Sequence, residues 1–338
     1  MIRLPDDFVP PVPDRWIEVR SAGGVRLSAQ VHGPLQGRLH GRVHGPGHDR
    51  PDGPDAPPTV LLSHGWTLAA RYWSRVIRRL RTELRVVAYD QRGHGSSSAV
   101  PPGGFCTDAL ADDLAAVLGA TVPAGGRTVL VGHSMGAMSV LAFAERHPEL
   151  LARRVSGAVL VDTGVEQLLA RAQIAPAPRA ARTVAEERPV AAAAESRVRR
   201  LEVAVSRRIL TRPELLRNVP APVLRSIVAH TTLSPAATAT ERAWTAEVIA
   251  ACSPETAAGF AEMLGDLDLA AAVPHLVVPT LVVVGDADRL TPPWHARRLA
   301  EALPQCVGLV EVPGVGHMTP VQAPDAVADA VRRIVALA

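Results

Sequence analysis

Residues 128–139 read TVLVGHSMGAMS. TVLVG is a short apolar run of strand length, and GAMSVLAFAERH, beyond the serine, has the apolar spacing of a buried helix. Ser134 therefore stands where a strand turns sharply into a helix, with Gly132 and Gly136 two places to either side. A nucleophile has to be exposed while its backbone stays rigid, and such a turn meets both demands at the cost of backbone strain. Crowding at the turn demands small neighbours, which the two glycines supply. The following helix aims its unpaired N–H groups and positive dipole end at the serine.

Working outward, the same rhythm recurs. TVLLS (59–63), RVVAY (85–89), SGAVLVD (156–162), TLVVVG (280–285) and VGLVEV (307–312) are apolar runs bounded by Gly or Asp. Between and after them lie helical stretches: RYWSRVIRRLRTE, TDALADDLAAVLG, PWHARRLAEAL and a last helix ending in VRRIVALA. Short Val/Leu strands alternating with helices predict an α/β fold with a mostly parallel, doubly wound sheet covered on both faces. RWIEVR and VRLSAQVHG around SAGG predict a hairpin ahead of it. Residues 164–267 interrupt the rhythm; rich in Ala and Arg and broken by Pro176, Pro213, Pro220 and Pro222, they read as a helical insertion over one end of the sheet. The core is thus expected in two parts, 1–163 and 268–338. Residues 32–58, rich in Gly, Pro and His, read as a flexible surface loop; a metal site at His32, His40, His44 and His48 is the alternative.

A serine hydroxyl needs a base within reach, and the base needs an orienting acid. His317, in PGVGHMTP just past the last strand, falls at the same sheet end as the serine turn, whereas His133 is too close in sequence to turn back onto Ser134. His64 and His94 lie in other strand-end loops, and His275 and His295 read as structural or exposed. For the acid, GDADRLTP offers Asp288, further into its loop, and Asp286, better placed to brace the turn; Asp162 is a second alternative. The developing oxyanion needs two donors. The Met135 amide at the helix start is one, and the Trp66 amide in LLSHGWT is the other, with Gly65 letting the backbone approach. The Trp66 side chain is a candidate to line the pocket.

SHGW, YDQRGHGSS, GHSMG, GDADRLTP and GVGHMTP, in this order, resemble the α/β-hydrolase superfamily, in its serine-nucleophile branch with a helical cap domain. The likeness covers about 58–163 and 268–338. It implies Ser134, Asp288 and His317 as a catalytic triad, Trp66 and Met135 as oxyanion donors, and residues 164–267 as the cap. Ser134 stands where epoxide hydrolases and haloalkane dehalogenases of the superfamily carry aspartate, which disfavours both activities. Asp90, Arg92 and His94 are expected to brace their loop, and Asp112 and Asp113 to form a solvated helix face.

The expected reaction is hydrolysis of a carboxylic ester through an acyl-enzyme, with no metal or organic cofactor. A carbon–carbon bond hydrolase, a thioesterase, or a non-enzymatic ligand receptor of the same fold are the alternatives. The expected partner is a small ester-like molecule with an apolar group. Trp244, Phe260, Met263 and Leu264 are candidates for the pocket-facing side of the cap, with simple packing as the other reading.

Composition narrows the classes further. All 36 basic residues are arginine, set against 33 acids for a net charge of +3, as GC-rich bacterial genomes encode. The arginines alternate with acids, so no concentrated basic face for nucleic acid is expected. The glutamates around Arg199 and Arg200 balance them in the same way. The chain is 47% apolar, which excludes global disorder. Cys106, Cys252 and Cys306 are odd in number and widely spaced, unlike a disulfide framework or zinc site. The start, MIRLPDDFVPPVPD, lacks a basic-then-apolar signal pattern, and no run reaches the roughly 18–20 apolar residues of a membrane span. A cytoplasmic location is the expectation.

Overall fold

The computed structural model describes residues 5–33, 57–173 and 221–338. His40, His44 and His48, most of the His/Gly/Pro stretch, and Arg199 and Arg200 lie outside the described residues.

Eight strands form one sheet: β1 Arg15–Arg20, β2 Arg26–His32, β3 Thr59–Ser63, β4 Val86–Asp90, β5 Thr128–His133, β6 Val155–Val161, β7 Thr280–Gly285 and β8 Cys306–Val312. Their spatial order is β1-β2-β4-β3-β5-β6-β7-β8. β1 and β2 are the expected hairpin and join β4 antiparallel; every pairing from β4 to β8 is parallel. One boundary differs from the sequence reading. His32 is not in a loop: it is the last residue of β2, fully buried and paired opposite Val86.

The helices follow the expected alternation. α1 is Ser74–Leu80, α2 Thr107–Thr121, α3 Met135–Arg146 and α4 Pro148–Arg154. α5 Leu168–Arg171, α6 Ala221–Thr232, α7 Ala239–Ala250 and α8 Pro254–Gly265 lie between β6 and β7. α9 Pro293–Ala302, α10 Thr319–Gln322 and α11 Pro324–Val335 complete the fold. The expected helix at 71–83 is split: Ala70–Trp73 is a 3₁₀ turn leading into α1.

Strand side chains alternate between faces, and both faces are covered, so the strands read as continuous apolar runs. Leu61, Val87, Leu130 and Leu160 share one core with α2, α3 and α9; Val60, Leu62, Val129, Val131 and Val159 share the other with α1 and α11. Between β6 and β7 the described residues hold helices and no strand. The two ends of this inserted segment meet: Glu166 and Asp268 form an isolated β-bridge, and the Leu269 amide donates to the Val165 carbonyl at 2.8 Å. Among the described residues no helix is long and apolar enough to cross a membrane.

The strand order places the site. From β3 the chain moves to β4 on one side and returns to β5 on the other. Loops leaving β3 and β5 therefore diverge to opposite faces and open a crevice at the carboxyl ends of the strands, where open α/β sheets bind ligands.

Candidate active site

Ser134 leaves the end of β5 with φ 52° and ψ −118°, a conformation L-residues rarely adopt. Its amide donates to the Val161 carbonyl at 2.9 Å, and Thr163 Oγ1 donates to its carbonyl at 3.1 Å, so the strained turn is held from β6. The flanking glycines have steric reasons. A Cβ on Gly132 would land on the Ala137 backbone, and one on Gly136 on the carbonyl groups of Ser63 and His64. The helix start thus sits directly against the end of β3.

Three side chains from distant loops converge here. Ser134 Oγ is 3.1 Å from His317 Nε2, and His317 Nδ1 is 2.8 Å from Asp288 Oδ2. The Asp288 carboxylate is anchored in its own loop: Oδ1 accepts the Leu290 and Thr291 amides at 2.8 and 2.9 Å, and Oδ2 accepts Thr291 Oγ1 at 2.8 Å. Asp286 does not reach the histidine; exposed, it accepts the Gly314 amide at 2.7 Å and braces the turn. Burial works against a charge on His317, but the Asp288 charge, its hydrogen bond and the Asp162 charge outweigh it and raise the pKa above the ordinary histidine value.

Asp162, the alternative acid, makes no hydrogen bond to His317. Fully buried at the end of β6, it accepts the Gly285 amide at 3.0 Å, the Thr319 amide at 2.9 Å and the Thr319 hydroxyl at 2.8 Å. One carboxyl group thereby clasps the β7 end, three residues before Asp288, to the loop two residues after His317. Burial first, then the Asp288 charge, push its pKa well above the carboxylate range. His133 adds a second clasp, its Nε2–H donating to the His317 carbonyl at 2.8 Å while its ring lies 4.8 Å from Tyr72. Sequence reasoning missed both roles, because each joins residues more than 100 positions apart.

The Trp66 and Met135 amides follow β3 and β5, the neighbouring strands at the crevice. Among the described residues neither amide has a protein acceptor. The loop carrying Trp66 is fixed by two neutral histidines. His64 Nε2 accepts the Gln91 amide at 3.0 Å and its Nδ1–H donates to the Gly65 carbonyl at 2.8 Å. His94 Nε2 accepts the amide of Thr67, itself at φ 60°, at 3.2 Å, and its Nδ1–H donates to the Arg92 carbonyl at 3.0 Å. Burial lowers the His64 pKa to about 4; burial and then neighbouring His64 lower that of His94 to about 3. Asp90 braces the same region by accepting the Ala70 and Ser96 amides at 2.7 and 2.9 Å.

One expectation is corrected. Asp113 is not on a solvated face: it is fully buried and paired with Arg92 through bonds of 2.7 and 2.8 Å. Only Asp112 faces outward, held by Arg146 at 2.7 Å and His147 at 2.9 Å. The Trp66 side chain, a candidate to line the pocket, is half-buried, and its indole N–H donates to the Ala257 carbonyl at 3.0 Å. Of the other candidate pocket residues, Phe260 has no exposed surface and stacks on His94, and Trp244 is buried against Phe8 and Tyr72. Met263 and Leu264 are partly buried against the core. Among the described residues no three His, Cys, Asp or Glu side chains are grouped to hold a metal ion, and all three cysteines are free thiols.

Residues 60–330 match the alpha/beta hydrolase family. This chain belongs to that family. The chain is 29% identical to the pimeloyl-[acyl-carrier protein] methyl ester esterase of Chromobacterium violaceum, over 77% of this chain and 87% of that protein. It is 39% identical to the bifunctional esterase/perhydrolase of Acinetobacter calcoaceticus over 97 residues, 28% of this chain and 34% of that one. The first curated relatives are matched over about a third of their own length. Among solved structures, an esterase from Thermogutta terrifontis superposes with a TM-score of 0.65 at 25% identity, covering 94% of this chain and 97% of that one. Several of these relatives are named as esterases.

Proposed function

We propose that this hydrolase cleaves a carboxylic ester by a serine acyl-enzyme mechanism. The observation that carries the reading is the unbroken hydrogen-bond chain from Ser134 through His317 to Asp288, with Ser134 on a strained turn at a helix start. The esterase-named relatives support the ester as the bond cleaved.

His317 Nε2 takes the Ser134 proton as Oγ attacks the carbonyl carbon. The carbonyl oxygen becomes an oxyanion and accepts from the Trp66 and Met135 amides, one such donor being worth on the order of 3 kcal/mol of barrier. His317 returns the proton to the leaving alcohol. Water, deprotonated by the same nitrogen, then releases the acid and restores Ser134. Asp288 holds the imidazole in the tautomer with Nδ1 protonated and stabilises the imidazolium. The inserted segment between β6 and β7 serves as a cap over the crevice and shapes an apolar site for a small ester.

The test is a stopped-flow burst with p-nitrophenyl butyrate. A burst of about one p-nitrophenolate per chain is expected, abolished in Ser134→Ala. A burst that survives Ser134→Ala overturns the reading.

A further inference from the structure

The Trp66 side chain joins its loop to the inserted segment. Its indole N–H reaches α8 in the inserted segment and donates to the Ala257 carbonyl at 3.0 Å, 191 residues along the chain. The next residue of the loop, Thr67, is joined to α8 by a separate route. Its amide donates to His94 Nε2 at 3.2 Å, and the His94 ring stacks on Phe260 of α8 with centroids 5.5 Å apart. Two more contacts seat the helix on the core. Thr256 Oγ1 donates to the Gly93 carbonyl at 3.1 Å, and Phe105 lies edge-on to Phe260 at 5.0 Å, against Gly259, where a Cβ would strike its ring. Thr67 holds φ 60°, a conformation that persists only where surroundings over-determine it.

We infer that α8 is the positioning element of the oxyanion loop, with the Trp66 indole as its tether: the Trp66 amide has its catalytic placement only while α8 is docked on the core. The inference rests on the reading of Trp66 N–H as an oxyanion donor. A helix of the inserted segment thereby governs the chemistry as well as the shape of the site. Docking of α8 and placement of the oxyanion donor become one event, because displacing α8 draws on the loop at Trp66 and at Thr67 together. The coupling acts where charge develops, so it bears on kcat and leaves ground-state binding alone.

Trp66→Phe keeps the ring and the backbone amide and removes only the tethering N–H. Phe260→Leu keeps an apolar side chain and removes the stack on His94. Steady-state kinetics with p-nitrophenyl butyrate and hydrogen exchange on the intact protein are measured for both. Misplacement of about 1 Å at a reacting centre costs roughly 100-fold. Trp66→Phe is expected to lower kcat roughly 10- to 100-fold, with KM within about threefold of wild type. Exchange is expected to quicken reciprocally: at residues 254–265 in Trp66→Phe and at residues 64–68 in Phe260→Leu. Wild-type kcat in Trp66→Phe, or a loss confined to KM, overturns the tether, as does unchanged protection of 254–265 in that variant. A wild-type protein that neither hydrolyses esters nor reacts with a fluorophosphonate defeats the esterase reading instead, and the exchange data still decide whether loop and helix are coupled.

Discussion

At the scale of single residues, the site depends on how His317 is held and charged. Its pKa lies above the ordinary value because the Asp288 charge and hydrogen bond, helped by the Asp162 charge, outweigh burial. As the proposed base, His317 works only when unprotonated, so kcat/KM is expected to fall as pH drops through that pKa. In Asp288→Asn the main contributions that raise it are gone, and the acidic limb of the kcat/KM profile moves to lower pH. The substitution also disturbs the imidazole tautomer, so activity falls roughly 10⁴-fold. A pH–rate profile of the variant checks both; a limb that stays in place or moves up contradicts the assignment of Asp288. Much of this scale was legible in the sequence. Ser134, His317 and Asp288 each follow an apolar run and sit beside residues that permit a tight loop. Asp113 was misread because its partner, Arg92, is 21 residues away and adjacency to Asp112 suggests a wet face. The clasp at Asp162 was hidden for the same reason: Thr319 lies 157 residues on.

At the scale of elements, the turn between β5 and α3 sets how closely Ser134, the proposed nucleophile, approaches the loop carrying Trp66. Gly136 lies on α3 against the end of β3, and a Cβ there would collide with the carbonyls of Ser63 and His64. Gly136→Ala must push α3 away from β3, which separates the Met135 and Trp66 amides. Overpacking of this kind costs about 1–3 kcal/mol. Gly119, near the exposed end of α2, is the control: nothing lies within 4 Å of its Cβ position. Gly119→Ala is expected to gain about 0.5–1 kcal/mol from helix propensity. Urea unfolding of the two variants, with ester hydrolysis as second readout, should give opposite signs of ΔΔG and an activity loss in Gly136→Ala alone. Strand and helix positions were readable from apolar period, but two boundaries were not. His32 extends β2 because its neighbour β4 supplies pairing that a polar, glycine-flanked residue does not advertise. The 3₁₀ turn at Ala70–Trp73 forms where the loop is tied down, since the Asp90 carboxylate takes the Ala70 amide.

At the scale of the whole molecule, the loop carrying Trp66 is built on histidines that are buried without charge. In the unfolded chain His64 and His94 take up protons near pH 6.5; in the folded chain they do so only near about 4 and about 3. Between these values the unfolded state binds more protons, so stability is full above pH 6.5 and declines as pH falls. The slope is about 1.4 kcal/mol per pH unit for each histidine, so the two together contribute about 3 kcal/mol per unit down to about pH 4. Buried His295, lowered by burial to about 4, acts in the same sense. His317, with its raised pKa, contributes stability that is complete below pH 6.5 and lost only above it; buried Asp162, with its raised pKa, works against the decline, but with one proton against three. Urea midpoints measured from pH 7 to 4.5 should fall steadily; a flat profile contradicts neutral burial of these rings.

The claim on which everything else stands is that Ser134 is the nucleophile that His317 activates. Mass-spectrometric mapping of a fluorophosphonate adduct tests it most directly. The account predicts one adduct, on Ser134, formed at least 100-fold more slowly in His317→Ala. An adduct on a different serine, or an ester-hydrolysing protein that takes no label, would contradict it.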